Sequence, residues 1–366
     1  MEVRKMKKVW AGVCVCVALT GFGETKPLKE AYAGKFKIGV AINDWQVAGR
    51  NPDDTALITR EFNSVTPENC MKSMFLQPQE GTFRFDQADR YVAFGEKHGM
   101  KIIGHTLIWH SQAPRWFFQS PDGGPLTREC LLERMKKHIQ TVVGHYKGRV
   151  HGWDVVNEAI EDNGSYRRSP FYNTFTSDDY IKQAFRFAHE ADPDAELYYN
   201  DYSMYRRGKR EAVVRLVKAM KAEGIRIDGV GMQAHLSLDR PPIAEIEESI
   251  KAFRDCGVKV MFTELDVSVL PKTWRASADV SRNIRYDKRL NPWPDGLPEE
   301  VQKRLGERYA ALFGLFLKYQ ADIDRVTFWG LTDGTSWLNN FPVRGRTDYP
   351  LLFDRKRQRK PFELPE

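Results

Sequence analysis

Residues 259–267 read KVMFTELDV and residues 151–159 read HGWDVVNEA. Each holds a short, mostly apolar run that leads to a glutamate, Glu264 in the first and Glu158 in the second. A strand this apolar is buried on both faces, which is the mark of a parallel sheet. Working outward, the same kind of run recurs at KIGVAI (37–42), NSVTPEN (63–69), KIIGHTLIWH (101–110), AELYYNDY (195–202), DGVGMQAH (228–235) and RVTFWGLTD (325–333). Helical stretches lie between them, near 53–61, 86–98, 127–146, 177–191, 209–223 and 298–320. In the third, Leu131, Met135, Ile139 and Val142 recur at helical spacing. Pro241 and Pro242 open another, and Gly257 closes it. Eight β runs, each followed by helix or loop, predict an α/β fold, a (β/α)8 TIM barrel, as a single catalytic domain over 35–366. A doubly wound sheet would carry a Gly-rich phosphate turn after its first strand, and KIGVAINDW has none. GxxxxGK[ST], GxSxG and HExxH are absent too, so phosphate-loop, serine-hydrolase and zinc-protease chemistry lack their residues.

The chain has 366 residues, 42% hydrophobic and 29% charged, which excludes a disordered or collagen-like chain. MEVRKMKK, VWAGVCVCVALTGFG and the polar ETKPLKE make a basic, apolar, small-residue order at the start. That order predicts a signal peptide over 1–23, a short linker over 24–34, and a secreted or periplasmic protein with no membrane contact once the signal is gone. The formal charge of +7 falls when the basic leader leaves, so nucleic acid is not an expected partner. The cluster at 355–360, RKRQRK, is expected as a solvated C-terminal segment. Cys70, Cys130 and Cys256 remain after the leader, an odd set without CxxC spacing, which implies neither a disulfide framework nor a metal knuckle.

Polar residues crowd the ends of the β runs: Glu68, Asn69 and Lys72; His105 and Trp109; Asn157 and Glu158; Gln233 and His235; Glu264 and Asp266; Trp329 and then Trp337. In a barrel these ends converge on one mouth. Glutamates at the ends of the fourth and seventh runs project toward each other across it. A pair about 5–5.5 Å apart suits double-displacement cleavage of a glycosidic bond. Like-charge repulsion from Glu264 is expected to raise the proton affinity of Glu158. Trp beside Asn, Lys and His also suits a pyranose, whose hydroxyls take hydrogen bonds and whose C–H faces pack on rings. His110, Trp116 and Trp153 read as interior packing.

GHTLIWHSQ, WDVVNEA, GVGMQAH, FTELDV, FWGLTD and GRTDYPLLFD, in this order, resemble the family 10 glycoside hydrolases, chiefly endo-β-1,4-xylanases, over about residues 38–354. The resemblance implies a retaining endo-β-1,4-xylanase that acts on xylan or xylo-oligosaccharides, as a monomer, with no metal and no organic cofactor. It assigns Glu158 as general acid/base and Glu264 as nucleophile. Asn157 matches the residue that holds the 2-hydroxyl of the sugar being cleaved. His235 and Asp266 match the pair that orients the nucleophile, and Gln233 also contacts it. Glu68, Asn69, Lys72, His105, Trp109, Trp329 and Trp337 match the glycone-side sugar shell, with Trp337 crowding C5 of the sugar. Tyr199, Asn200 and Asp201 match a fifth-strand motif without an assigned role. The chain departs from the family at Ser73, where an aromatic usually follows the lysine. It departs again at 268–298, a long insertion after the nucleophile strand. A third departure follows LLFD, where only RKRQRKPFELPE stands in place of a helix. The final helix therefore reads as truncated, and apolar surface is expected to show where the last strand meets the first.

Overall fold

Among the described residues, nine strands arise where the sequence places its apolar runs: β1 (Lys37–Ile42), β2 (Ser64–Pro67), β3 (Lys101–Trp109), β4 (Gly152–Asn157), β5 (Glu196–Asp201), β6 (Gly229–Met232), β7 (His235–Ser237), β8 (Lys259–Ser268) and β9 (Ile323–Phe328). The computed structural model describes residues 26–120, 123–124, 126–271 and 284–366, so the leader expected over 1–23 lies outside the described residues. Every pairing among these strands is parallel. β1 to β6 pair in sequence, β6 pairs with β8, β8 with β9, and β9 returns to β1, closing an eight-stranded barrel. β7 is not a stave of its own. The run at 228–235 breaks at Gln233 and Ala234, with Ala234 at φ 64°, and resumes as a three-residue strand paired only to β8.

The helices cover the barrel as their periodicity demands. Residues Arg128–His145 bury Leu131, Met135, Ile139 and Val142 on one face, and the Thr127 hydroxyl caps the start by accepting from the Cys130 amide at 3.2 Å. Residues Glu299–Lys318 bury Leu305, Tyr309, Leu312, Phe313 and Phe316 in the same way. Inside the staves, Ile103, Tyr198 and Met261 form a separate buried layer, so the lumen is packed rather than open. Trp153 is fully buried, and Trp116 packs against Phe117, as expected of both.

The closing seam differs from its expectation. Ile38, Val40 and Ile42 of β1 and Val326 and Phe328 of β9 are buried, and the segment beyond Phe353 packs on the elements flanking the seam. Phe362 stacks on Tyr309 at 6.0 Å, and the Tyr32 hydroxyl donates to the Pro365 carbonyl at 2.8 Å. Nor is the basic cluster simply solvated. Lys360 is buried, 2.9 Å from Asp333, and donates to the Tyr349 and Leu351 carbonyls at 2.8 and 2.7 Å. Arg357 pairs with Asp54 at 2.6 Å, and Arg359 donates to the Lys26 carbonyl at 2.9 Å. These contacts were illegible because side chains with apolar stems and charged heads can cover a seam while reading as polar.

Part of the expected linker is likewise structural. Residues Leu28–Ala31 form a helical turn whose Leu28 is fully buried, with its amide donating to Glu61 at 2.9 Å, and Tyr32 packs on Phe313 at 4.9 Å. In the 268–298 insertion, residues 272–283 lie outside the described residues. The following portion is anchored on the loop after β9: Asn291 accepts from the Thr347 amide at 2.9 Å, and the Tyr349 hydroxyl donates to the Trp293 carbonyl at 2.9 Å.

Candidate active site

The site is built where β-strand geometry delivers polar side chains to the C-terminal mouth. In a regular strand Asp154 and Asn157 would point to opposite faces, because side chains alternate. The pairing of β4 with β5 shifts register between Asp154 and Val156, and both residues then serve the mouth. Asp154 holds His105, whose Nδ1 lies 2.9 Å from it, and Asn157 stands at the cavity wall. On β8 the pairing with β9 also shifts register, between Phe262 and Leu265 around Glu264, while Asp266 pairs opposite His235 of β7. Glu264 and Asp266 are two apart and share a face.

A cleft of about 180 Å³ collects Glu68, Asn69, Lys72, His105, Trp109, Asn157, Glu158, Gln233, His235, Glu264, Trp329 and Trp337. Twelve of the thirteen residues anticipated from the sequence therefore line one wall. The thirteenth, Asp266, stands behind His235, 2.9 Å from its Nδ1. Gln112 also lines the cleft and accepts from Lys72 Nζ at 2.8 Å. Its place was not read from GHTLIWHSQ, since nothing local marks a loop glutamine as a lysine partner.

Glu158 and Glu264 are both buried, at 4% and 5% exposure, yet their surroundings act in opposite directions. The Glu158 carboxylic acid is pushed up to about 7, first by burial and then by the negative charge of Asp201, with Glu264 contributing less. This corrects the expected cause, in which Glu264 was the source of the shift. Trp109 Nε1 donates to Glu158 Oε2 at 2.9 Å and Gln233 Nε2 to Oε1 at 3.0 Å, which moderates the rise. Glu264 is different. Burial again disfavours its charge, but His235, the charge of His105 and a bond from Asn200 outweigh it and hold the carboxyl below the ordinary glutamate value. His235 lies 3.2 Å from Glu264 through Nε2 and takes Asp266 on its other nitrogen. Burial alone would strip its proton, but the charge of Asp266 and the bonds to both carboxylates push it up to about 10, so the ring is an imidazolium at neutral pH.

Asn200 is the functional residue that had no assigned role. Its Nδ2 donates to Glu264 Oε1 at 2.9 Å and to Asn157 Oδ1 at 3.0 Å, and Gln233 reaches the same Asn157 oxygen at 3.2 Å. An amide chain thus joins the two carboxylates. Gln233, expected on the nucleophile, bonds instead to Glu158, because the break at Ala234 leaves it beside Asn157. Gly231 makes room for Asn200: a Cβ there would lie 2.4 Å from its Oδ1. Gly231→Ala should therefore cost about 1–3 kcal/mol by overpacking and lower kcat by disturbing Asn200. A melting curve and a rate assay check it, and an unchanged kcat would show that the amide chain tolerates displacement.

The remaining side chains complete the lining of the cleft. Lys72 is buried, donates to Asn69 at 3.0 Å and sits 5.2 Å above the Trp109 ring. Burial lowers its ammonium to about 8 against the pull of three glutamates, while Glu68 is pushed up to about 7 by burial against the pull of Lys72. Trp329 meets His105 edge-on at 5.3 Å. Trp337 donates through Nε1 to Asp266 at 2.8 Å and stacks on Phe341, so its plane is fixed. A second cleft, of about 200 Å³ and lined by Tyr202, Arg206 and Pro271, shares His235 and Trp337 with the first. The groove thus continues past the carboxylates. Among the described residues no group of three or more His, Cys, Asp or Glu has a metal-holding arrangement.

The chain is similar to known proteins over nearly its whole length. The sequence profile described as Glycosyl hydrolase family 10 matches residues 27–363. An endo-1,4-beta-xylanase A of Xylanibacter ruminicola is 48% identical over 98% of this chain and 97% of its own. A GH10 endoxylanase retrieved from a sugarcane soil metagenome superposes with a TM-score of 0.89 at 46% identity, over 91% of this chain and 97% of that one. An intracellular xylanase of Thermoanaerobacterium saccharolyticum, solved as a mutant complex with xylotriose, superposes at 0.80 with 36% identity, over 93% and 97%. By the extent of this match, the chain belongs to glycosyl hydrolase family 10.

Proposed function

We propose that the protein is an endo-1,4-β-xylanase that cleaves internal bonds of xylan with retention of configuration. The observation that carries this reading is the opposed protonation of Glu158 and Glu264 in one cleft. Two carboxyl groups whose environments drive them apart can act as acid and as nucleophile at the same pH. Glu264, ionised and held by His235 and Asn200, attacks the anomeric carbon. Glu158, still protonated, gives its proton to the departing glycosidic oxygen. The glycosyl-enzyme then carries an ester in place of the Glu264 charge, and Glu158, now ionised, removes a proton from the attacking water. Asn157, fixed by Asn200 and Gln233, is placed to hold the 2-hydroxyl as charge develops at the ring.

The groove running past the carboxylates supports cleavage inside a polymer rather than at its end. The basic and apolar leader at 1–23 supports export, so that the polymer is met outside the cytoplasm. The names of the relatives support xylan as substrate.

A reducing-sugar assay on xylan, β-glucan and mannan over a pH series tests the reading. Xylan should be hydrolysed fastest. Its kcat/KM should fall as pH rises through about 7, where Glu158 loses the proton it must donate. On the acid side activity should persist below the ordinary glutamate range, because Glu264 stays ionised there. Hydrolysis of glucan or mannan in preference to xylan would remove the substrate assignment.

A further inference from the structure

The turn that carries Glu158 uses a conformation glutamate seldom adopts. Its φ is 60°, in the left-handed region, where a side chain costs about 1–2 kcal/mol. The turn is fastened at each residue. The Glu158 amide donates to the Asn200 carbonyl at 2.9 Å, and Arg167 Nε donates to the Glu158 carbonyl at 2.9 Å. The Ala159 amide donates to the Tyr199 hydroxyl at 3.1 Å, and the Ile160 amide to Asp201 Oδ2 at 3.4 Å. The Tyr199 hydroxyl donates onward to that same Oδ2 at 2.6 Å. Two of the fastenings therefore converge on one carboxylate.

The other oxygen, Asp201 Oδ1, accepts from the Tyr202 amide and from Lys209 Nζ, both at 2.8 Å. Asp201 and Lys209 are fully buried, so neither reaches a substrate. A buried ion pair is weak evidence of stabilisation, since desolvation offsets most of the attraction. Its position is more informative. The charged groups around Glu158 are Glu264 from β8, His235 from β7, Lys72 from the segment after β2, Arg167 from the loop after β4, Lys209 from the helix after β5, and Asp201 at the end of β5. Lys209 lies on the Oδ1 side, 3.8 Å over the Tyr202 ring and 3.5 Å from Asp162, while Oδ2 faces the turn.

We propose that Asp201, seated by Lys209, is the positioning residue of the general acid: it aims Glu158 through Tyr199 and Ile160. Beside that geometry, burial and then the charge of Asp201 raise the Glu158 carboxyl. The proposal rests on the reading of Glu158 as that acid.

The test is kcat/KM against pH on a xylo-oligosaccharide for the unmutated enzyme, Asp201→Asn, and the double variant Asp201→Asn/Lys209→Met. The double variant leaves no unpaired buried lysine and so guards against loss of folding. In both variants the basic limb should move down by about one pH unit, a tenfold change in proton affinity, while the acid limb set by Glu264 stays in place. A basic limb unmoved in both, with only the plateau lowered, would reduce Asp201 to a structural role and overturn the proposal. A basic limb on an aryl xyloside that survives Glu158→Gln overturns the reading of Glu158 itself, and the proposal with it.

Discussion

Glu158→Ala is expected to leave xylan almost uncleaved while an aryl xyloside with an acidic phenol still loses its phenol in the first step. The variant keeps Glu264, so the covalent glycosyl-enzyme should form and accumulate, because water then lacks its base. Azide needs no deprotonation and finds space where the Glu158 carboxyl stood. It should restore turnover and yield the β-configured xylosyl azide. Glu264→Ala should abolish hydrolysis of both substrates, and any azide rescue should give the α-configured product by attack from the opposite face. General acid–base assistance is worth about 10²–10⁴-fold, so the two variants should separate clearly. Trp109 and Gln233, which bond to Glu158, and His235 and Asn200, which bond to Glu264, remain in place in either variant. Product configuration by NMR decides the matter: the same configuration from both variants would refute the assignment of roles.

Xylo-oligosaccharides should be cleaved far faster than cello-oligosaccharides of equal length. Trp337 shares the cleft wall with Trp329, and its plane is held on one edge by Asp266 and on one face by Phe341. A ring pinned in this way cannot swing aside for the hydroxymethyl group that glucose carries at C5 and xylose lacks. Rejecting one such group is worth about 1–3 kcal/mol, or roughly 10–200-fold in kcat/KM. Trp337→Ala should narrow that ratio. It should also lower the rate on xylose substrates, since Asp266 Oδ2 loses a donor and its grip on His235 changes. Comparable rates on both sugars in the unmutated protein would set aside the xylan preference and leave only a general β-glycanase.

The sequence by itself determined the barrel, the two glutamates and nearly all of the cleft wall. These follow from local rules. Side chains alternate along a strand, apolar runs mark staves, and polar residues at the ends of staves must meet at one mouth. WDVVNEA and FTELDV therefore announced Glu158 and Glu264 without any knowledge of their neighbours. What the tertiary structure alone decided is which groups touch. The Glu158–Gln233 bond spans 75 residues and the Asn200–Glu264 bond 64, and neither separation leaves a trace in periodicity. Asn200 read as an unexplained member of the fifth run until packing placed it between Asn157 and Glu264. Asp201 read the same way until packing placed its Oδ2 against the Ile160 amide and the Tyr199 hydroxyl, beside the turn that carries Glu158. The cluster at 355–360 read as solvated charge because a buried lysine is recognised only by its partners, here Asp333 and two carbonyls. Hydrogen bonds and Coulomb forces act over a few ångströms in space, so their assignment waits on the fold that brings distant residues together.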